Sequence, residues 1–226
     1  MKIQSFIFTW NEYIHNASKL ESQLKLLSTT KVINSNLEYT NPSWINVNNL
    51  YFAGQWNTLL SNLDTDTDFI FHIQSDASFE RFDLIFDRFR EISNKYNIGI
   101  YAPNVDFTAH TYNLSNFKQY EDKLYFVPNT DCTCWFINKK LVTEIPLFDL
   151  NINSIGFGVD WFYIAKSLLN NYNVIRDYKY TIYHPYKTNY NVQTALRQYY
   201  DWLETLPVDL KSKIIELMDI RIQSLI

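Results

Sequence analysis

Glycine is scarce in this chain. Four glycines stand in 226 residues, where average usage would give about 16. Gly-rich flexible or collagen-like architectures are therefore excluded, and each glycine marks a place to look for special backbone geometry. Cysteine is scarcer still. Cys132 and Cys134 are the only two, too few for a disulfide scaffold and too close to bridge within a strand without strain. With no signal-peptide pattern at the start, this points to a reducing compartment, and a cytoplasmic location is expected. Long apolar runs are missing too: none approaches the roughly 20 residues of a membrane helix. Nor is there an excess of cations. Twenty Lys and Arg face 24 Asp and Glu, a net charge of −4, the wrong balance for a polyanion binder, so nucleic acid is not an expected partner.

What is present describes a folded chain. Hydrophobic residues make up 46% and charged residues 19%, which excludes global disorder, and the length suits one generous domain. Aromatics reach 17%, with 17 Tyr, 16 Phe and 6 Trp. That abundance suits stacking on flat ligands; a bulky core and the codon bias of an AT-rich genome would give the same count.

Periodicity supplies the elements. Lys2–Thr9 reads as a buried strand, residues 15–27 as a helix, 31–34 as a strand, 50–63 as a helix and 68–73 as a third strand. Ser78 is expected to cap a helix whose apolar face is Phe79, Phe82, Ile85, Phe86, Phe89 and Ile92. Residues 97–101, 123–127 and 132–137 read as strands, 158–170 as a helix, and 174–178 and 180–184 as two short strands. Two helices, about 191–205 and 208–224, close the chain around Pro207. Strands alternating with amphipathic helices predict an α/β domain with a mostly parallel sheet, spanning 1–190, with 191–226 as a helical extension of it.

Ligands in open α/β sheets collect beyond the carboxyl ends of the strands. Those positions here are Thr9, Trp10, Asn11 and Glu12 after the first strand, Asn34 after the second, and Gln74, Ser75 and Asp76 after the third. Gln74 and Asp76 stand two apart, so they share a side. Asp76 could hold a hard divalent ion while Gln74 reaches a ribose or the ion's water shell; the same aspartate would also serve as an ordinary helix N-cap. Gly156 and Gly158 bracket one residue and place Asp160 in the first turn of a helix, suited to a general base or simply to the helix dipole. Phe157 and Trp161 beside it could stack on a sugar or belong to the core. His184 ends a strand before Pro185. Asp131-Cys-Thr-Cys134 lacks a second ligand pair and reads better as small buried residues than as a metal site. His15, His72 and His110 fit no ligand spacing.

In order, these pieces resemble the GT-A-fold nucleotide-sugar glycosyltransferases, closest to glycosyltransferase family 2. Thr9-Trp-Asn-Glu12 resembles that family's Thr-Tyr-Asn-Glu, Asn57 falls on the asparagine of its Ala-Arg-Asn-x-Gly helix, and Phe69–Asp76 resembles the strand into Asp-x-Asp. Thr133–Asp149, with Trp135, resembles the acceptor-side strand and the Gly-Gly-Phe-Asp signature; Phe157-Gly-Val-Asp160 resembles Trp-Gly-x-Glu-Asp, and His184-Pro185 the His-Pro that completes a metal site.

The resemblance implies a GT-A fold and an inverting sugar transferase acting on a glycan, lipid-linked sugar or protein hydroxyl. It implies Mn²⁺ or Mg²⁺ on Asp76 and His184, Asp160 as catalytic base, and Thr9, Trp10, Asn11, Glu12, Asn34, Asn57, Gln74 and Ser75 on the donor side. Trp135, Phe157 and Trp161 fall on the acceptor side. The chain departs from the pattern at Gln74, where the first acid of Asp-x-Asp belongs, at Val159, where an acid precedes the base, and at Pro146-Leu147 for the paired glycines. Two alternatives follow: a degenerate, non-catalytic nucleotide-sugar or carbohydrate binder, or a nucleotidyltransferase, although Thr9–Glu12 lacks the glycine and cation of a phosphate loop. The last helices carry Ile214, Ile215, Leu217, Met218, Ile222 and Leu225, expected to pack on the domain or on a second copy of the chain. Peripheral membrane contact would want more cations than Lys211, Lys213 and Arg221 supply.

Overall fold

The computed structural model describes residues 1–36, 38–48, 50–108, 113–142, 146–185 and 190–224; His110 and Leu225, named above, lie outside the described residues. Among the described residues nine strands form one sheet in the order β3-β2-β1-β4-β8-β5-β9-β7-β6. β1 (Ile3–Thr9), β2 (Thr29–Asn34), β3 (Ile45–Asn46) and β4 (Phe69–Gln74) are mutually parallel. β8 (Cys134–Asn138) inserts antiparallel between β4 and β5 (Ile98–Val105), and β9 (Asn173–Ile182) then resumes parallel to β5. The edge is the small hairpin β6 (Gln119–Glu121) and β7 (Leu124–Tyr125).

The helices cover both faces because strand side chains alternate in direction. Phe6 and Phe8 of β1 point into a core shared with α2 (Phe52–Ser61), α4 (Val159–Leu169), α5 (Val192–Leu203) and α6 (Val208–Ser224). Ile3 and Ile7 point into the other, shared with α1 (Ile14–Leu24) and α3 (Phe82–Lys95). On α3 the buried Phe82, Ile85, Phe86, Phe89 and Ile92 recur at helical spacing, and Phe89 stacks on Phe136 of β8 with centroids 4.0 Å apart. Each such ring contributes about 1.5–3 kcal/mol by leaving water.

Three local expectations change. Ser78 caps no helix: α3 starts at Phe82, and Ser78 forms an isolated antiparallel bridge with Tyr183. The polar stretch after β2 holds the two-residue β3. The two short strands expected near 174–184 are one strand, β9, with a register shift. Leu210, Ile214 and Leu217 of α6 are buried in the chain's own core, while Ile215 and Ile222 stay exposed. Among the described residues no helix is long and apolar enough to cross a membrane.

Candidate active site

β1 and β4 end side by side, and the turn after β4 carries the first acidic group. Asn16 of α1 holds that turn by donating to the carbonyls of Ser75 and Ala77 at 2.6 and 2.9 Å. The Ser75 hydroxyl donates to Thr9 Oγ1 at 3.0 Å, which ties the two strand ends together. Asp76 sits in this turn with its side chain 8% exposed, Oδ2 lying 3.3 Å from His184 Nε2. Its other oxygen, Oδ1, is buried and has no hydrogen-bond partner. A buried carboxylate oxygen left unpaired costs free energy.

His184 approaches from the far strand. Its Nδ1 lies 3.3 Å from the Phe107 carbonyl. Because a carbonyl only accepts, Nδ1 carries the proton and Nε2 is the atom turned toward Asp76. Burial opposes charging this ring, but the hydrogen bond and charge of Asp76, with Asp131 behind them, outweigh it and raise its pKa.

The second acidic group is Asp160, one residue inside the N-terminus of α4. Gly158, with φ of 105°, precedes the helix in a left-handed conformation that side-chain-bearing residues adopt at a cost. Burial raises the Asp160 pKa to about 6, against lowering by the Trp161 backbone N–H, 2.9 Å from Oδ1, and by the Asn129 side chain. The Asp131 charge adds to the rise. The Asp131 charge thus raises the pKa of both Asp160 and His184, after burial and the nearer partners of each.

Asn129, Thr130 and Asp131 are absent from the sequence-based site. Asn129 and Thr130 are wholly buried, and the Thr130 hydroxyl has no partner. Asp131 is fixed by the Thr133 N–H and hydroxyl at 2.9 and 2.5 Å. Buried polar side chains in a loop between strands are the one available signal, and alternation analysis does not register them. Tyr190 is a further addition: burial raises its pKa, with Cys132, Asp160 and Asp131 adding their charges.

The other expected residues divide by what their side chains do. Asn34 is wholly buried and donates to the Tyr39 carbonyl and Asn46 Oδ1 at 2.7 and 2.9 Å, holding the following loop. Asn57 bridges α2 to the 147–148 backbone, accepting at 3.0 and 3.1 Å and donating at 2.8 Å. Trp10 is partly exposed, its ring 5.4 Å from that of Tyr13. Glu12 is exposed in the short 3-10 turn after β1; the same turn holds Asn11, whose side chain lies outside the description. Gln74 ends β4 half-buried. Trp135 is wholly buried between Trp56 and Tyr163 and Trp161 is 4% exposed, whereas Phe157 keeps 37% of its surface in solvent. Of the three aromatics expected on the acceptor side, Phe157 is the exposed one. Cys132 and Cys134 are free thiols whose pKa values burial pushes well up, unlike metal-binding thiolates.

Among the described residues no three His, Cys, Asp or Glu side chains group closely enough to hold a cation by themselves. The Asp76–His184 pair nevertheless fits a divalent cation completed by substrate oxygens. Asp76 has one orphaned carboxylate oxygen and His184 Nε2 lies 3.3 Å from its other oxygen, and Mg²⁺ and its relatives are commonly held by one or two protein groups plus phosphates.

No protein-family model and no curated protein sequence matches the chain. The structure is similar to the crystal structure of GalNAc-T7 with UDP, GalNAc and Mn²⁺: TM-score 0.56 at 10% identity, covering 83% of this chain and 44% of that one. The chain thus spans less than half the length of that protein, and the likeness establishes a GT-A-like α/β fold.

Proposed function

We propose that the protein is a metal-dependent glycosyltransferase that moves a sugar from a nucleoside-diphosphate donor to an acceptor hydroxyl. The observation that carries this reading is the buried, unpaired Oδ1 of Asp76 beside His184, at the carboxyl end of parallel strands in a GT-A-like fold. Asp76 and His184 would hold Mn²⁺ or Mg²⁺, and the cation supplies charge stabilisation for a departing diphosphate. Trp10, Glu12 and Gln74 line the nucleoside side of the crevice. Thr9, Ser75, Asn34 and Asn57 shape its walls through the bonds described above.

Asp160 then acts on the acceptor. Its carboxylate accepts the proton of the attacking hydroxyl, and a pKa near 6 keeps it ionised yet basic at neutral pH. Asn129 holds it in place, and Asp131 sustains its basicity. Phe157 offers a ring to an acceptor sugar.

Gln74, where the resemblance expects an acid, favours one rival: a binder of nucleotide-sugars that does not turn them over. Thermal shift decides between them. UDP and UDP-sugars come first, because the structural neighbour was crystallised with UDP; other nucleotides follow, with and without Mn²⁺, on wild type and Asp76→Ala. A ligand at a hundredfold excess over Kd stabilises by about 2.7 kcal/mol. A Mn²⁺-dependent shift lost in the variant is expected. A shift without sugar transfer to any acceptor points to the binder, and no shift with any nucleotide or nucleotide-sugar removes both readings.

A further inference from the structure

His184 reaches Asp76 through an irregularity in the sheet. β5 and β9 pair Pro103 with Asp177, and then the next residue, Asn104, with Thr181. Three extra residues, 178–180, therefore bulge out of β9 at that point. At about 3.3 Å per strand residue, the bulge draws the end of β9 back by roughly 10 Å relative to a continuous ladder. Asn104 spans the irregularity, accepting from Arg176 at 2.9 Å and donating to Thr181 Oγ1 at 3.1 Å.

Beyond Ile182 the ladder ends, and β9 leaves β5 for the turn after β4: Ser78 and Tyr183 exchange backbone bonds at 2.9 and 3.0 Å. His184 would be the first residue without a sheet partner for its N–H. Asp106, just past β5, supplies one: its Oδ1 accepts from His184 N at 2.8 Å and from Phe107 N at 2.7 Å. One carboxylate oxygen thus holds both the backbone N–H of His184 and that of Phe107, the residue whose carbonyl faces the His184 ring.

We infer that Asp106 is a positioning residue for the metal site, holding His184 so that Nε2 faces Asp76. This rests on the proposed role of Asp76 and His184 as cation ligands. Asp106 touches no reacting atom; its effect passes through a hydrogen-bond acceptor, so Asn in its place preserves the function and Ala does not. Removing an outer partner of a metal-ligating histidine typically costs 10- to 100-fold in metal affinity. Because Asp106 is exposed, about tenfold is expected.

The test is Mn²⁺ titration followed by the loss of the free-ion EPR signal, with Mn²⁺ alone and with UDP. Wild type, Asp106→Ala, Asp106→Asn and Asp76→Ala are compared, alongside the metal-free melting temperature of each. The expected result is about tenfold weaker binding in Asp106→Ala, binding within twofold of wild type in Asp106→Asn, and loss in Asp76→Ala. Wild-type affinity in Asp106→Ala, or an equal loss in Asp106→Asn, overturns the inference and leaves the cation site standing. Should Asp106→Ala melt early, the Asn variant alone still decides, because a loss there refutes the acceptor role. Absence of Mn²⁺ binding in wild type, with UDP present, refutes the cation site and this inference with it.

Discussion

Two clusters of charge lie along β9, one at its middle and one beyond its C-terminal end, and they are built on opposite terms. At the start of the bulge, Asp177 is 1% exposed and fully engaged. One oxygen accepts from the Tyr101 hydroxyl at 2.7 Å and Arg88 Nε at 3.2 Å, and the other from the Lys179 N–H at 2.9 Å. Arg88 goes on to Glu91 at 3.0 Å, and Lys95 joins Glu91 to Glu121. Past the end of the strand, Asp76 keeps an orphaned oxygen, the Thr130 hydroxyl has no partner, and burial, with a smaller push from the Asp131 charge, raises the Asp160 pKa. A satisfied network stabilises a fold, whereas a cluster that leaves donors, acceptors and like charges unresolved is tolerated where a ligand completes it.

The sharpest way to break this contrast is to remove one carboxylate from each cluster. Asp160→Asn should lower turnover by about 10²- to 10⁴-fold while the Mn²⁺-dependent donor shift persists. In wild type, turnover should fall tenfold per pH unit below about 6, as the base is protonated. Asp177→Ala should act on the fold instead. It leaves the Tyr101 hydroxyl and Arg88 Nε without their acceptor while Arg88 keeps Glu91, so the loss should fall at the low end of the about 3–5 kcal/mol of a broken buried pair; urea midpoints would show it, while the folded fraction still binds donor. A normal rate in Asp160→Asn, or an unchanged midpoint in Asp177→Ala, would erase the distinction.

The two regions also differ in how far the sequence discloses them. The parallel β1–β4 wing and its helices follow from plain periodicity, and the residues at its strand ends, Asp76 among them, lie where α/β topology puts a crevice. β9 read as two strands because the bulge at 178–180 interrupts alternation, and nothing local announces that a bulge will re-aim a histidine. Asn129 goes unread, and Asp131 is read only as part of a poor metal motif, for another reason: they lie in a loop, and the tie of Asn129 to Asp160 of α4 is made by tertiary packing. Asn34 is expected at the ligand because it ends a strand, and Asn57 because the resemblance places it on the family's asparagine. In the fold they bond to the protein's own loops, a choice that only tertiary packing makes.

A smaller effect probes how the base is held. Gly158 is pressed against Tyr199 of α5, where an added Cβ would lie 2.4 Å from two ring carbons, and its φ is 105°. Gln198, one residue before, accepts from the Ile155 N–H at 3.1 Å, so α5 braces the loop that leads into Asp160. Gly158→Ala should cost about 1–2 kcal/mol for the left-handed backbone alone, more if Tyr199 cannot move. It should lower kcat with little change in the donor shift, because the displaced group is the base and not Asp76. Equal losses in both would show that the loop and the donor site move as one.

The smallest effect has the clearest sign. Asp160 is raised from the ordinary carboxylate value of 3.8 to about 6 in the folded chain, so between those values the folded state binds more proton than the unfolded state. Stability therefore declines as pH climbs from about 4 to 6, and above 6 the cost of burying the charge is fully present. Asn at this position can still accept from the Trp161 N–H but never ionises. Asp160→Asn should thus be more stable than wild type at pH 7.5, by about 1 kcal/mol given that the side chain is only partly buried. The difference should shrink through pH 6 and vanish near pH 4. Urea midpoints of the two proteins across that range would trace it. An advantage that instead grew as pH fell would mean the fold favours the carboxylate anion, and Asp160 would then belong with Asp177 among the groups that hold the protein together.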